Sequence, residues 1–287
     1  MSEPELAGPW RQPRNTSADE KGGIHDDDTA RELGFEGGTV AGSIHMEQFP
    51  PFLIAHLGDE WLETGSISLY FRAATTDGQA VRCVGRAPVA DGDLRRMDIA
   101  LVDEAGGVVM DGTAAVGGPD PASALSLRLA SVRRATDARV LADVRVGVPC
   151  APRIVRIPPA GIDRQLAVIT EPMAIFGRPG TTDGRVPPLS TLIHALRGVE
   201  ADIAPTRGPF VGLFGAIEVT CLAGQPVTGR DYLLTGQAVA VSESPKTEVF
   251  WMESRLSDPD TGAPLVRMLK MDRIMKASSP LWSDAAP

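Results

Sequence analysis

A weak internal repeat constrains the fold of this chain more than any other sequence feature. Residues 71–81 align with residues 217–227 at a constant offset of 146, which brings a Gly-Gln pair and a following valine into register. A Pro-Pro pair and an apolar run precede both copies, at residues 50–57 and 187–196. A chain of 287 residues is long enough for two copies of one compact unit. We therefore predict two halves of similar structure.

Each half repeats the same order of predicted elements. The apolar runs predict helices with proline in the first turn, where the missing N–H costs nothing. A long strand follows, and alternating segments around Asp- and Gly-containing turns then predict one β-hairpin per half, formed by residues 97–102 with 108–116 and by residues 250–256 with 263–271. A helix that is apolar nearly all round must be buried, and a twisted antiparallel sheet wrapped around it would bury it.

This order of elements is that of the hotdog architecture. The fold class is predicted as α+β, a double hotdog in which two antiparallel sheets each wrap around a central helix and pack as a pseudo-dimer. We place the N-terminal hotdog at residues 1–117, a linker at 118–142 and the C-terminal hotdog, with a polar tail, at 143–287. The 30 glycines and 24 prolines exceed the usual share and fit short elements separated by many turns.

Composition excludes several classes of protein. Hydrophobic residues at 43% and charged residues at 23% exclude wholesale disorder. A net charge of −9 without a basic block disfavours nucleic-acid binding. No apolar run is long enough for a membrane helix and the first residues do not read as a secretory signal, so we expect a cytoplasmic protein without membrane contact. The three separated cysteines indicate reduced, mostly buried thiols rather than disulfides or a zinc site.

Residues 20–42 carry the most chemical content. Glu20 lies five residues before His25, and Asp27 follows two residues after it. The segment resembles the hydratase motif of MaoC-like proteins, a family of (R)-specific enoyl-CoA hydratases and related dehydratases with hotdog folds. The positions that match the motif are His25, Asp27, Ala30, Gly34, Phe35 and Gly42. The segment departs from the motif where Glu20 replaces an aspartate, Gly22 and Gly23 replace Asn-Pro, and Ala41 replaces a histidine.

The resemblance implies an activity and a set of site residues. Glu20 and His25 would be the catalytic acid/base pair of a hydratase or dehydratase, a hydro-lyase that acts on an acyl thioester. The N–H groups of Gly42 and Ser43, at a helix start, would stabilise the thioester oxygen. Asp27 is a further candidate on the substrate side, although Asp26 or Asp27 also suits the N-cap of a helix at residues 29–33. His45 is a candidate to replace the missing motif histidine.

Alternatives remain at this point. The chain could be a hotdog thioesterase, a lyase on a non-thioester substrate, or a catalytically silent acyl-binding subunit. The second half has no counterpart of the Glu20–His25 pair, so we expect one active site per chain, with the second half shaping the acyl channel. No metal is predicted, because the successive side chains of His25 and residues 26–28 point in different directions. No cofactor is predicted either, since coenzyme A would be part of the substrate. The pairs Arg95-Arg96 and Arg133-Arg134 are either phosphate contacts or solvated surface, and homodimerisation stays open.

Overall fold

The computed structural model describes residues 5–19, 23–169, 173–177 and 184–283. Strands dominate these residues and form one antiparallel sheet. The strands are β1 (Leu6–Ala7), β2 (Ser66–Phe71), β3 (Val81–Gly85), β4 (Val89–Asp91), β5 (Leu94–Asp103), β6 (Val108–Val116), β7 (Arg153–Arg156), β8 (Gly212–Cys221), β9 (Asp231–Glu243), β10 (Thr247–Ser257) and β11 (Pro264–Met275).

The helices are short and most of them precede the long strands of their half. They are α1 (Asp27–Glu32), α2 (Gly42–Met46), α3 (Pro50–Leu57), α4 (Trp61–Thr64), α5 (Ala124–Ala130), α6 (Pro159–Leu166), α7 (Leu189–Leu196) and α8 (Glu200–Ile203). Within the described part of the chain, no helix is long and apolar enough to cross a membrane.

The strand order is β1-β3-β5-β6-β2-β8-β11-β10-β9-β7, with β4 paired to β5. The two halves meet where β2 runs antiparallel to β8, from Ser66 opposite Thr220 to Tyr70 opposite Ala216. The sequence predicted two sheets, whereas the structure joins them edge to edge at this β2–β8 junction. Pairing satisfies the backbone N–H and C=O groups that two free sheet edges would expose.

Both predicted hairpins are present, as β5–β6 and β10–β11. In the first turn, Asp103 Oδ1 accepts a hydrogen bond from the Gly107 N–H at 2.7 Å, and Gly106 has φ of +81°. In the second turn, Asp258 Oδ1 accepts from the Thr261 N–H at 2.8 Å. The Asp and Gly residues that predicted these turns therefore close them by side-chain capping and by a positive φ.

The two predicted apolar helices correspond to α3 and α7. Pro50 is in the first turn of α3, and Pro188 is the N-cap of α7. Both helices place side chains in one hydrophobic core shared by the two halves, including Leu53 and Leu57 from α3 and Leu196 from α7, all 0% exposed. The apolar character of each run thus reflects burial beneath the sheet.

Glu47 joins the helices of the two halves. It is the C-cap of α2 and is only 6% exposed. One carboxylate oxygen accepts hydrogen bonds from the backbone N–H of Ser190 on α7, at 2.9 Å, and from the Ser190 hydroxyl. The other oxygen accepts from Gln165 Nε2 on α6 at 3.0 Å. Burial is the largest influence on this carboxyl and raises its pKa to about 7.

Residues 118–142, which the sequence analysis predicted to be a linker, contain α5, which packs against β2, β6 and β8 and so lies across the β2–β8 junction. Ser123 caps α5 by accepting from the Ser126 N–H at 3.2 Å, and its hydroxyl donates to Glu218 of β8 at 2.5 Å. Leu125 is fully buried, and its N–H donates to Ser68 Oγ of β2 at 3.0 Å. Ser123 and Leu125 therefore connect α5 to strands of both halves.

The cysteines are free. Cys83 and Cys221 are buried, which agrees with the prediction of packed thiols, whereas Cys150 is half-buried. Burial raises the pKa of the Cys221 thiol to about 12, so this thiol stays protonated at physiological pH.

Gly112→Ala is expected to destabilise the protein by about 2 kcal/mol, which is within the range for overpacking. Gly112 of β6 lies opposite Leu69 of β2, and a Cβ there would press against the backbone carbonyl of Ser68, which cannot rotate away. Gly161→Ala in α6 is the matched control, since its Cβ would meet Thr191 Cγ2 at an ordinary 3.7 Å. The free energy of unfolding in urea measures both effects, and equal stabilities for the two variants would contradict the prediction.

Candidate active site

A cavity of about 180 Å³ lies next to the β2–β8 junction. The first half contributes residues of the motif segment and the end of β2, and the second half contributes the start of β8 and the end of β11. Its walls are mostly apolar. The residues used below are His25, Gly42, His45, Phe71, Arg72, Phe214 and Arg273.

Backbone contacts fix the loop that carries His25. The Thr39 N–H donates to the carbonyl of Ile24 at 2.9 Å, which holds the two ends of the segment together. Asn15 Nδ2 donates to the carbonyl of His25 at 2.8 Å. Asp26 is buried at the N-cap of α1 and accepts from the Thr29 hydroxyl at 2.6 Å, so of the two predicted cap residues it is Asp26 that occupies the cap.

The Thr39 carbonyl sets the tautomer of His25. His25 Nδ1 lies 2.7 Å from this oxygen. A carbonyl only accepts hydrogen bonds, so the neutral ring carries its proton on Nδ1 and its lone pair on Nε2. In its neutral form His25 therefore has Nε2 available as a base.

His45 lies on the same cavity and is 2% exposed. Its Nε2 lies 2.7 Å from the Thr75 hydroxyl, and its Nδ1 has no hydrogen-bond partner within the described residues. Burial lowers the pKa of His45 to about 4. This ring is neutral at physiological pH, so one of its nitrogens donates a hydrogen bond and the other accepts one, and the ring supplies no positive charge.

Gly42 begins α2 and lies against the ring of Phe71. A Cβ at this position would come within 3.0 Å of Phe71 Cε2, so glycine allows the close approach of the ring. Gly42 and Ser43 are the first two residues of the helix, where backbone N–H groups have no partner inside the helix. Among the described residues, none accepts a hydrogen bond from either group.

The structure brings His25, Gly42 and His45 to one cavity and places the other candidates differently. Glu20 lies outside the described residues. Asp27 accepts from the Gly38 N–H at 2.7 Å and pairs with Arg31 at 3.1 Å, with 64% of its side chain exposed. The Gly38 hydrogen bond is the main reason that the pKa of Asp27 is lowered. Asp27 closes the loop behind His25, and neither it nor Ser43 is among the cavity-lining residues.

The cavity-lining residues that sequence reasoning missed include Phe71, Arg72, Phe214 and Arg273. Phe71 and Phe214 face each other across the β2–β8 junction, with ring centroids 6.5 Å apart. The repeat aligns β2 with β8 but carries no signal that the two strands pair. Within the described ranges, no group of three or more His, Cys, Asp or Glu residues could hold a metal ion.

Several solved structures are similar to this chain along nearly its whole length. A protein from Chloroflexus aurantiacus described as a MaoC domain dehydratase superposes with a TM-score of 0.57 at 11% identity, covering 96% of this chain and 95% of the other. A Mycobacterium tuberculosis protein described as having a double hotdog fold gives a TM-score of 0.60 at 9% identity, covering 96% and 97%. A Lactobacillus plantarum protein described as an oleoyl thioesterase gives a TM-score of 0.51 at 8% identity, covering 96% and 98%.

These likenesses establish the fold. The chain has the double hotdog fold described for the Mycobacterium tuberculosis protein and is similar in fold to a MaoC domain dehydratase, which confirms the fold resemblance inferred from the motif and the element order. No protein-family model matches the chain, and no curated protein matches it. Because the same fold occurs in dehydratases and in a thioesterase, the fold leaves the reaction to be argued from the site.

Proposed function

We propose that this protein is a hotdog enzyme that adds water to, or removes it from, the 2,3 position of an acyl thioester. The observation that carries the proposal is His25. It lies on a cavity between the halves with its tautomer set by the Thr39 carbonyl, in the segment that resembles the hydratase motif. A base with its lone pair on Nε2 is what activation of a water molecule requires.

The reaction assigns a role to each candidate. In hydration, His25 Nε2 takes a proton from water as the oxygen bonds to C3, and a proton is delivered to C2, so one water is added across the double bond. Glu20 is the proposed partner in this proton transfer, as the resemblance implies. The N–H group of Gly42, which lines the cavity, would stabilise the negative charge that develops on the thioester oxygen, whereas Ser43 does not line the cavity and receives no role. Neutral His45 would position a ligand by a hydrogen bond through its unpaired Nδ1.

The second half contributes binding rather than acid/base groups in this proposal. The start of β8 contributes Leu213 and Phe214 to the cavity wall, and these apolar side chains suit contact with an acyl chain. The pairing of β2 with β8 supports the interpretation of the two halves as a pseudo-dimer, each built around its own central helix. Coenzyme A enters as part of the substrate, and no separate cofactor is assigned.

Thioester hydrolysis is the second candidate. The same His25 could direct water to the thioester carbonyl carbon instead of C3, which would release a free thiol. The replacement of the motif histidine by Ala41 and of Asn-Pro by Gly22 and Gly23 favours this alternative, and the fold accommodates it, as the Lactobacillus plantarum structure illustrates.

The two activities are separated by one assay of the full chain with a panel of trans-2-enoyl-CoA substrates of different chain length. Hydration is expected to remove the ultraviolet absorbance of the conjugated thioester without releasing thiol. Stoichiometric release of thiol would replace the hydratase assignment with a thioesterase. A chain that does neither on the whole panel, while correctly folded by circular dichroism, would overturn the proposal of an acyl-thioester enzyme.

A further inference from the structure

Three arginine side chains surround one tyrosine ring at the edge of the active-site cavity. The guanidinium carbons of Arg72 and Arg128 each lie 4.3 Å from the centroid of the Tyr70 ring, and that of Arg273 lies 4.7 Å away. Arg72 follows β2, Arg128 belongs to α5 in the linker, and Arg273 belongs to β11. The first half, the linker and the second half thus each supply one arginine to this group, which we call the Tyr70 arginine cluster.

The cluster has more positive charge than its neighbours neutralise. Arg72 pairs with Asp111, with Nε and Nη2 at 2.6 and 3.1 Å from its two oxygens. Arg128 and Arg273 both donate to the Tyr70 hydroxyl, and among the described residues neither has a carboxylate within ion-pairing distance. Three positive charges therefore face one negative charge, on a protein whose net charge is −9.

Holding these cations together is electrostatically unfavourable without an anion. Burial lowers the pKa of Arg273, and burial followed by repulsion from Arg72 lowers that of Arg128. Tyrosine faces attract guanidinium groups, but a neutral ring does not cancel their mutual repulsion. A bound anion would relieve it and would receive several charge-assisted hydrogen bonds.

The position of the cluster restricts which anion this is. Arg72 and Arg273 line the same cavity as His25 and Gly42, which is otherwise mostly apolar. A ligand that contacted both His25 and these arginines would present a reactive, apolar portion to His25 and an anionic group to the arginines. Guanidinium groups match the tetrahedral oxygens of phosphate by paired hydrogen bonds.

We propose that the Tyr70 arginine cluster binds the phosphate of a 4′-phosphopantetheine thioester. This inference rests on the proposed function, since it assigns the residues that bind the phosphate of the acyl thioester substrate. The same phosphate occurs in coenzyme A and on acyl carrier proteins, so the cluster recognises the chemistry that both carriers share. Arg128 and Arg273 would provide the unneutralised charge, and Arg72 would lie beside them with its charge shared with Asp111.

The arginine pairs singled out in the sequence do not fit this role as well. Arg95 donates to the carbonyl of Leu57 at 2.7 Å and pairs with Glu60. Arg96 pairs with both oxygens of Asp120 at 2.5 Å. Arg133 and Arg134 are exposed and do not line the cavity. The first pair is therefore occupied by structural contacts, and the second lies away from the candidate site.

Calorimetric titration of the full chain tests the proposal independently of turnover. The probes are pantetheine, 4′-phosphopantetheine, coenzyme A and a phosphopantetheinylated acyl carrier protein. Wild-type protein is expected to bind 4′-phosphopantetheine at least about tenfold more tightly than pantetheine, as charge-assisted hydrogen bonds require. Arg273→Gln is expected to abolish this ratio, whereas Arg273→Lys retains part of it. Comparison of coenzyme A with the carrier protein identifies the source of the phosphate.

Arg134→Gln is the matched control, because it removes the same charge from an exposed site and is expected to keep the tenfold ratio. A purely structural role of Arg273 would weaken both probes equally and leave the ratio unchanged in Arg273→Gln, which would overturn the inference, as would equal affinities in the wild type. If the wild type prefers the phosphorylated probe but transforms no enoyl thioester, the phosphate site stands and the proposed function fails. If it hydrates enoyl-CoA and enoyl-pantetheine with the same KM, the proposed function is supported and the phosphate site is contradicted.

Discussion

His25→Gln is expected to lower kcat for hydration of an enoyl thioester by about 10²- to 10⁴-fold, the usual contribution of a general acid–base group. Glutamine can still donate a hydrogen bond to the Thr39 carbonyl, which His25 Nδ1 contacts at 2.7 Å, but it has no basic nitrogen. The loss should therefore appear in kcat more than in KM. The measurement is the steady-state rate of water addition on the best substrate of the enoyl-CoA panel.

His194→Gln is the matched control for this substitution. His194 lies on α7, is exposed, and does not line the candidate cavity. Its replacement is expected to leave the rate within about twofold, since surface substitutions away from special features have small effects. If both variants retain wild-type activity and thermal stability, His25 is not the acid/base group.

Glu47→Gln is expected to change how the stability of the protein depends on pH. Burial between α2, α6 and α7 raises the pKa of Glu47 from its ordinary value of 4.5 to about 7. Between these values the folded state keeps a proton that the unfolded state releases, so stability falls as pH rises from 4.5 to 7. Glutamine is neutral throughout, and relative to the wild type the variant should gain on the order of 3 kcal/mol between pH 4.5 and pH 8.

His45 influences the same pH range with the opposite sign. Its pKa is lowered from 6.5 to about 4, so the unfolded state binds the additional proton and stability falls as pH drops from 6.5 to 4. The contributions of Glu47 and His45 therefore oppose each other between pH 4.5 and 6.5. The wild type should show little pH dependence from these two groups in that range, and Glu47→Gln should reveal the slope that His45 produces.

Urea unfolding at several pH values measures this effect. Glu104→Gln is the matched control, because it removes an exposed carboxylate from the β5–β6 turn. Its free energy of unfolding should change with pH in parallel with that of the wild type. Parallel curves for Glu47→Gln and the wild type would show that the buried carboxyl titrates normally, in contradiction to the structure.

Local sequence signals predicted local structure well. The Asp and Gly residues of the two hairpin turns, and the prolines that precede the apolar runs, act within a few residues of their own position, and the elements they predict are present. The sequence predicted one long strand between the apolar helix and the hairpin of each half. In the first half the structure has shorter strands instead, because β2 ends at Phe71 and β3 begins only at Val81, after a turn at Gly78, where φ is +73°.

Contacts between residues that are far apart in the chain could not be predicted from the sequence in this way. The Tyr70 arginine cluster gathers residues up to 203 positions apart, and their proximity depends on the pairing of β2 with β8 and on the packing of α5. His25 was found because its motif resembles a known one. The carbonyl of Thr39 that sets its tautomer is a backbone group, so no residue type reveals it. In the sequence Glu47 looks like an ordinary exposed carboxylate at a helix end, because its burial depends on contacts with α6 and α7 that are distant in the chain.

The β2–β8 junction also determines what would follow from cutting the chain in the linker. An isolated N-terminal half would present β2 as a bare edge strand, with Ser66 to Tyr70 unpaired on the side that β8 now occupies. Such an edge is a template for self-association. Two copies could pair through it, or many could aggregate. Because the two halves belong to one chain, β2 pairs with β8 of the same chain in preference to a strand of another molecule. The sequence of β2 therefore does not need the charges, prolines or bulges that prevent exposed edge strands from associating.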